Sequence, residues 1–277
     1  MTDQLSGLSR LTGDYDVLLC DVWGVIHNGC ERHPAACEAL MNWRDQGGAV
    51  VLITNAPRPS SDILPQLEAL KVPRQVWDGF VSSGDATRAE LKARGPAGAW
   101  ALGPERDLAL YEGTGITPLP SADSAAFISC TGLYDDEKDD PQDYREALAA
   151  CAERGLEMIC ANPDRKVHRG DHLIWCAGAL ADVYESLGGK VVMAGKPFAP
   201  IYRACLAEAE RITGRDVDPA RVLCIGDGLP TDVKGGNDQG LDVLFISGGL
   251  HRDEGEAAEL LERHGLSARW VMPALRW

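Results

Sequence analysis

Four short apolar runs set the rhythm of the chain. Val17-Leu18-Leu19-Cys20 ends at Asp21, and Ala49-Val50-Val51-Leu52-Ile53 ends at Thr54-Asn55. Val222-Leu223-Cys224-Ile225 ends at Gly226-Asp227, and Val243-Leu244-Phe245-Ile246 ends at Ser247-Gly248. None alternates with polar residues, so each suits a strand covered on both faces of a parallel sheet. Helices are predicted between and beyond them. One runs from Pro34 to about Asp45, with Pro in its first turn and Gly47-Gly48 past its end. Others run from Ser60-Ser61 to about Leu70, from Phe198 to Ile212 with Gly214 closing it, and from Asp253 to Arg263 before Gly265. Strand alternating with helix is the pattern of a doubly wound α/β sheet.

Residues 79–191 interrupt this pattern with elements of their own. Strands are expected at Ala99–Leu102, Ala125–Ser129 and Met158–Cys160, and helices at Asp85–Arg94, Pro141–Arg154 and Ala177–Leu187. About 110 residues make a complete small domain. The expected layout is a core formed by 1–78 and 192–277, with an inserted α/β domain over 79–191. No internal repeat or low-complexity tract is visible.

Composition narrows the function classes. The 277 residues are 45% hydrophobic and 25% charged, as in a globular protein. The net charge of −15 argues against binding a nucleic-acid backbone. Small phosphorylated ligands stay open, because a bound cation inverts the local field. The start MTDQLSGLSRLTGDYD lacks a basic segment followed by an apolar run, and no apolar stretch reaches roughly 18 residues. The nine cysteines form no CxxC pair. The expectation is a reduced, cytoplasmic protein with no membrane or nucleic-acid partner.

Three of the core strands end on Asp21, Thr54 and Asp227, residue types suited to metal or phosphate chemistry. Ligands of open parallel sheets bind beyond the carboxyl ends of the strands, so Asp21 and Asp227 can meet there despite their separation in sequence. Two converging carboxylates repel one another unless a hard cation such as Mg2+ lies between them. A single Asp after a strand is more often a turn former. Two of them, with Asp232 close behind, shift the balance towards a metal site.

These residues fall into an ordered set. Asp21-Val22-Trp23-Gly24-Val25-Ile26, Thr54-Asn55, Gly195-Lys196-Pro197 and Gly226-Asp227-Gly228-Leu229-Pro230-Thr231-Asp232 resemble the four successive motifs of the haloacid dehalogenase-like (HAD) superfamily. The insertion, with its Ala161-Asn162-Pro163-Asp164 stretch, resembles the large cap of the class IIA branch, which includes nitrophenyl-phosphatase-like and nucleotide- or sugar-phosphatase-like members. The resemblance implies a Rossmann-like core with an α/β cap and a Mg2+-dependent phosphatase acting on a small phosphorylated substrate. It implies that Asp21 is the nucleophile and forms an aspartyl-phosphate. Asp21, the Trp23 carbonyl and Asp227 would hold Mg2+, and Asp232 would orient that shell or pair with Lys196. Thr54 and Lys196 would hold the transferring phosphoryl oxygens. Asn55, Arg58, Asn162, Asp164 and Arg165 are the implied or candidate substrate contacts, with a homodimer through the cap as a further expectation.

One position departs from the family pattern. Phosphatases of the family carry a second Asp two residues after the nucleophile, as general acid and base, and here that residue is Trp23. An indole donates one hydrogen bond and does neither job. Such a loss costs about 10²–10⁴-fold. Three readings follow. The first is a phosphatase using a substitute acid, with His27 the nearest candidate, or a substrate with a good leaving group. The second is a dehalogenase, which the retained Asp227 and Asp232 count against. The third is a binding or regulatory protein with little turnover, which the retained Asp21 counts against.

Other features carry less. The run Asp135-Asp136-Glu137-Lys138-Asp139-Asp140 reads as a solvated loop. His168 and His172 are four apart, but Gly170 between them argues against the helix that a two-histidine zinc face needs. Lys196 is not a Walker lysine, since Pro197 stands where Ser or Thr is required. The G-x-S-x-G elbow of serine hydrolases and the G-x-G-x-x-G dinucleotide fingerprint are both absent. Trp175 and Tyr134 suit a pocket wall or a packed core equally.

Overall fold

A computed structural model of the chain describes residues 3–169, 172–251 and 254–277; the side chains of 168, 169, 172 and 173 are outside that description. The question of His168 and His172 as metal ligands therefore lies outside the described residues, as does the expected helix start at Asp253. The chain divides into two compact units. The first is Met1–Thr54, Ile63–Val81 and Lys196–Trp277, and the second is Asn55–Asp62 and Ser82–Gly195.

The first unit begins with β1 (Asp3–Gln4), β2 (Val17–Asp21), α1 (Pro34–Asp45), β3 (Ala49–Thr54), most of α2 (Ser60–Ala69) and β4 (Gly79–Ser82). The second unit then supplies α3 (Ser83–Ala93), β5 (Ala97–Leu102), β6 (Ile116–Leu119), β7 (Phe127–Cys130), α4 (Arg145–Glu153) and β8 (Glu157–Cys160). It continues through β9 (Lys166–Arg169), β10 (His172–Trp175), α5 (Ala177–Ser186) and β11 (Lys190–Met193). The chain returns to the first unit with α6 (Ala199–Thr213), β12 (Val222–Gly226), α7 (Lys234–Asp238), β13 (Asp242–Ile246), α8 (Ala257–Arg263) and β14 (Trp270–Met272).

The seven strands of the first unit are ordered β1-β14-β13-β12-β2-β3-β4. Those whose register is known pair in parallel. The four apolar runs occupy its centre. Every residue of β2 and β12 is buried, which accounts for their lack of alternation. Trp43 on α1 and Phe245 on β13 are among the largest fully buried side chains. At the end of α6, Gly214 takes φ +68, the left-handed residue that terminates helices.

The second unit holds a five-stranded parallel sheet, ordered β11-β8-β7-β5-β6, and an antiparallel β9–β10 hairpin. Its core packs Trp100, Ile128, Leu148, Met158, Leu180 and Tyr184. The expected bounds at 78/79 and 191/192 need correction. Gly79–Ser82 is an edge strand of the first sheet, and Lys190–Met193 pairs with β8 in the second. Residues 55–62 also pack with the second unit. Both strands are short and sit at sheet edges, where little apolar periodicity is needed. The helix expected over Pro141–Arg154 starts with a 3-10 turn, Pro141–Tyr144, before α4.

The first sheet is tied at the foot of β2 by an ion-pair group. Asp16 accepts from Arg221 at 2.6 Å and from Arg215 at 2.9 Å. The Arg221 hydrogen bond, more than any other contact, lowers the Asp16 carboxyl below its usual value. A carboxyl lowered in the fold stabilises it above the unfolded value, and that contribution disappears as pH falls through the folded one. Asp16→Asn should therefore cost about 1 kcal/mol at pH 7. The gap to the unmutated chain should close below about pH 3.8, as read by urea unfolding at pH 7, 5 and 3.

Candidate active site

Neighbouring strands bring distant residues together. Cys20 lies opposite Leu52 on one side and Ile225 on the other. Asp21 and Asp227 therefore extend from adjacent strand ends, β2 and β12, although 206 residues apart in sequence. This is also where the sheet changes its direction of growth: β3 and β4 lie to one side of β2, and β12, β13 and β14 to the other. Ligands of parallel sheets bind at such a switch point.

Asp232 reaches the same place by a local device. The turn Leu229–Val233 is a π-type turn in which the N–H groups of Asp232 and Val233 both donate to the Gly228 carbonyl. The Asp232 carboxylate folds back to accept from the Gly228 N–H at 3.0 Å through Oδ2. That leaves Oδ1 for Lys196, whose Nζ donates to it at 2.6 Å and to Asp21 Oδ1 at 2.6 Å. Wide turns of this kind recur at functional sites.

Asp21, Asp227 and Asp232 offer oxygens within 4.8 Å of one another, and all three are buried. One ammonium among three carboxylates leaves two negative charges unbalanced. Burial, then the Asp232 charge, raises Asp21 well above the usual carboxylate range. Burial and the same neighbour raise Asp227 to about 7. Burial alone would lower Lys196, but the Asp21 and Asp232 carboxylates override it and hold the amine charged. Three converging hard oxygen donors with a charge deficit fit a divalent cation such as Mg2+.

The backbone around the cluster is correspondingly tight. A Cβ at Gly24 or at Gly249 would collide with the Asp227 carboxylate, and one at Gly226 with that of Asp232. Gly24 also has φ +85, so only glycine suits it on both counts. The Leu250 N–H donates to Asp227 Oδ2 at 2.8 Å. Gly249 and Leu250 were not foreseen from sequence. Their signal was the Ser247-Gly248-Gly249 turn after β13, on the same edge of the sheet.

Thr54 ends β3, next to β2. Trp23 lies in the loop after Asp21 and is 38% exposed, a high value for an indole. His27 is buried and braces that loop, its Nδ1 accepting from the Gly29 N–H at 3.0 Å. Burial lowers its pKa to about 4, so the ring is neutral near pH 7 and carries no acidic proton of the kind expected of a substitute acid.

The remaining candidates belong to the second unit. Asn55 donates to Asp164 at 2.9 Å, and Asn162 Oδ1 accepts from the Asp164 N–H at 3.0 Å, shaping the turn after β8. Arg58 and Asn162 line a cavity of about 460 Å³. Arg165 instead forks onto Asp182 of α5 at 2.6 and 2.8 Å on an exposed surface. That geometry binds a carboxylate of the chain itself.

A crystal structure from Brucella suis, described as a hydrolase of the haloacid dehalogenase-like family, is 45% identical, with 97% of this chain and 98% of that one covered and a TM-score of 0.87. The chain belongs to this family. Family models described as haloacid dehalogenase-like hydrolase and HAD-hydrolase-like match residues 18–117 and 193–270. The 5'-nucleotidase YutF of Bacillus subtilis is 25% identical over 87% of this chain and 90% of its own. The ribonucleotide monophosphatase NagD of Escherichia coli K12 is 25% identical over 93% and 96%. The motif resemblance is thus borne out, including its class IIA assignment, and this HAD protein is a hydrolase. Among the described residues, no helix is long and apolar enough to cross a membrane.

The charge balance of the cluster yields a stability test. Lys196→Met leaves buried carboxylates without their ammonium and should destabilise the chain by about 3–5 kcal/mol in denaturant titrations at pH 7. Asp21→Asn removes one like charge while Lys196 keeps Asp232, so its melting temperature should equal or exceed that of the unmutated chain. A large drop for Asp21→Asn would contradict the charge assignment.

Proposed function

We propose that this HAD hydrolase is a Mg2+-dependent phosphatase that acts on a small phosphorylated metabolite through an aspartyl-phosphate at Asp21. The observation that carries this reading is the buried cluster itself, in which Lys196 touches both Asp21 and Asp232 beside Asp227. Simple anion binding would not bury three carboxylates. A phosphoryl-transfer site needs them to hold a cation opposite the transferring group. The activities in the names of YutF and NagD support the same reaction class.

In this reading Asp21, the Trp23 carbonyl, Asp227 and Asp232 hold or orient Mg2+, which neutralises phosphoryl oxygens when bound. Asp21 attacks phosphorus in line with the departing oxygen. The new Asp21–phosphorus bond replaces the bond to the leaving group, and water later releases phosphate. Lys196 and the Thr54 hydroxyl hold equatorial oxygens of the transferring group. The second unit acts as a cap, with Arg58, Asn162 and the Asn55–Asp164 pair as its substrate-side contacts. Trp23 brings no proton, so a leaving group that departs unaided reacts best. A second reading, a binding protein with little turnover, draws on that same Trp23.

Phosphate release from an aryl phosphate should require Mg2+ and fall to background in Asp21→Asn. Asp227→Asn should raise the Mg2+ needed for half-maximal rate by at least about 10-fold. Trp23→Asp should increase turnover by about 10²-fold by supplying the missing acid and base. Tight binding of a phosphorylated ligand without turnover in the unmutated chain would favour the second reading.

A further inference from the structure

Exposed apolar surface is distributed unevenly over the first unit. Among the described residues, the large apolar side chains left exposed are Trp23, Leu108, Tyr134, Phe198 and Leu250. Leu108 and Tyr134 belong to the second unit. The other three all flank the carboxylate cluster. Trp23 comes two residues after Asp21 and Phe198 two after Lys196, and two residues of chain span at most about 7 Å. Leu250 gives its backbone N–H to Asp227 Oδ2 at 2.8 Å. The same strand ends thus carry a charged centre and an apolar rim. Single exposed apolar residues need no explanation, but three gathered at a reactive centre do.

We propose that this rim selects a flat aromatic group bonded to the phosphoryl oxygen, an aryl phosphate, and that Trp23 stacks on its ring. The assignment deepens the proposed function and rests on it. Leaving-group chemistry is the first argument. An aryl oxide is the conjugate base of an acid of pKa about 10, whereas an alkoxide is about as basic as hydroxide. The bond from phosphorus to the aryl oxygen breaks as the Asp21–phosphorus bond forms. The oxide departs with the electron pair and takes its proton from water, so the acid that Trp23 does not supply is not needed. A ribonucleotide, the substrate class in the name of NagD, leaves as an alkoxide and sets a hydroxylated pentose against the rim.

Geometry is the second argument, because the indole is held in place. A Cβ at Gly29 would lie 3.2 Å from Trp23 Nε1 and 3.8 and 3.9 Å from Cε2 and Cζ2, so the Gly29 backbone backs one edge of the ring. Gly29 in turn gives its N–H to Nδ1 of the buried His27 at 3.0 Å. The Gly24 N–H closes the same loop on the His27 carbonyl at 2.7 Å. His27 thereby acquires a task, holding the loop that carries the indole. A ring so held gives up little conformational freedom when a ligand arrives. Aromatic pairs also gain from ring geometry beyond the area they bury.

The test uses the full chain with Mg2+ and begins with binding, which needs no turnover. Calorimetric titration compares 1-naphthylphosphonate with methylphosphonate, whose carbon–phosphorus bonds do not hydrolyse. The naphthyl compound should bind at least about 10-fold more tightly. Trp23→Ala should remove most of that advantage and Trp23→Phe should keep it, while Phe198→Ala and Leu250→Ala each lower it by a smaller factor. Equal binding of the two probes, no binding of the naphthyl compound, or an advantage unchanged in these variants overturns the assignment. If Trp23→Ala does not fold, the Phe198 and Leu250 variants decide. In kinetics, 1-naphthyl phosphate should exceed adenosine monophosphate in kcat/KM by at least about 10-fold. Trp23→Asp should raise both kcat and KM for it, gaining an acid and losing the ring contact. Acetyl phosphate, which also departs unaided but has no ring, separates the two readings. Asp21-dependent release from acetyl phosphate without a naphthyl advantage refutes the rim alone. No Asp21-dependent release from any substrate refutes the phosphatase, and the phosphonate titration still decides the rim.

Discussion

One ammonium shared by two buried carboxylates, with a third carboxylate close by, is the interaction on which the first unit's site depends. Lys196 is 3% exposed, and a lone charge so placed would cost several kcal/mol. Asp21 and Asp232 offset that cost, but with Asp227 they overshoot and leave the pocket negative. A site so balanced is stable enough to fold and still short of positive charge. The surrounding backbone obeys the same constraint. Glycines at 24, 226 and 249 give the carboxylates room, and the amides of Gly228 and Leu250 hold two of them in place. Charge, backbone and topology all converge on two adjacent strand ends.

The two units share one topological rule. Each has a parallel sheet whose strand order reverses, and each gathers polar side chains at that reversal. In the first the gathered charges are unequal, which suits a cation and a phosphoryl group. Trp23 and His27 belong to the first and supply it with no mobile proton: one is an indole, the other a buried neutral ring bracing its loop. In the proposed reaction the energetic burden would fall on positioning and charge, as phosphoryl transfer permits.

Much of this was legible in the sequence because strong periodic signals are local. The fully buried strands β2, β3, β12 and β13 announced themselves as apolar runs, and α1 was bounded by Pro34 and Gly47-Gly48. The short edge strands β1, β4, β6 and β11 were missed. With one side unpaired, they need only a few apolar residues to persist. Arg165 has a partner that the sequence does not announce. It follows the right turn, but Asp182, 17 residues onward, turns back on α5 to hold its guanidinium.

Residue order alone was enough for the class of fold, the insertion and the ordered set Asp21, Thr54, Lys196 and Asp227. Those features follow from hydrophobic period and from motif spacing, both written along one dimension. Folding decided the rest. Whether Lys196 touches one carboxylate or two, whether His27 is neutral, and which side chains share the cavity with Arg58 all depend on burial and on distances between strands. Energies of that kind belong to pairs brought together through space, and chain separation says nothing about them.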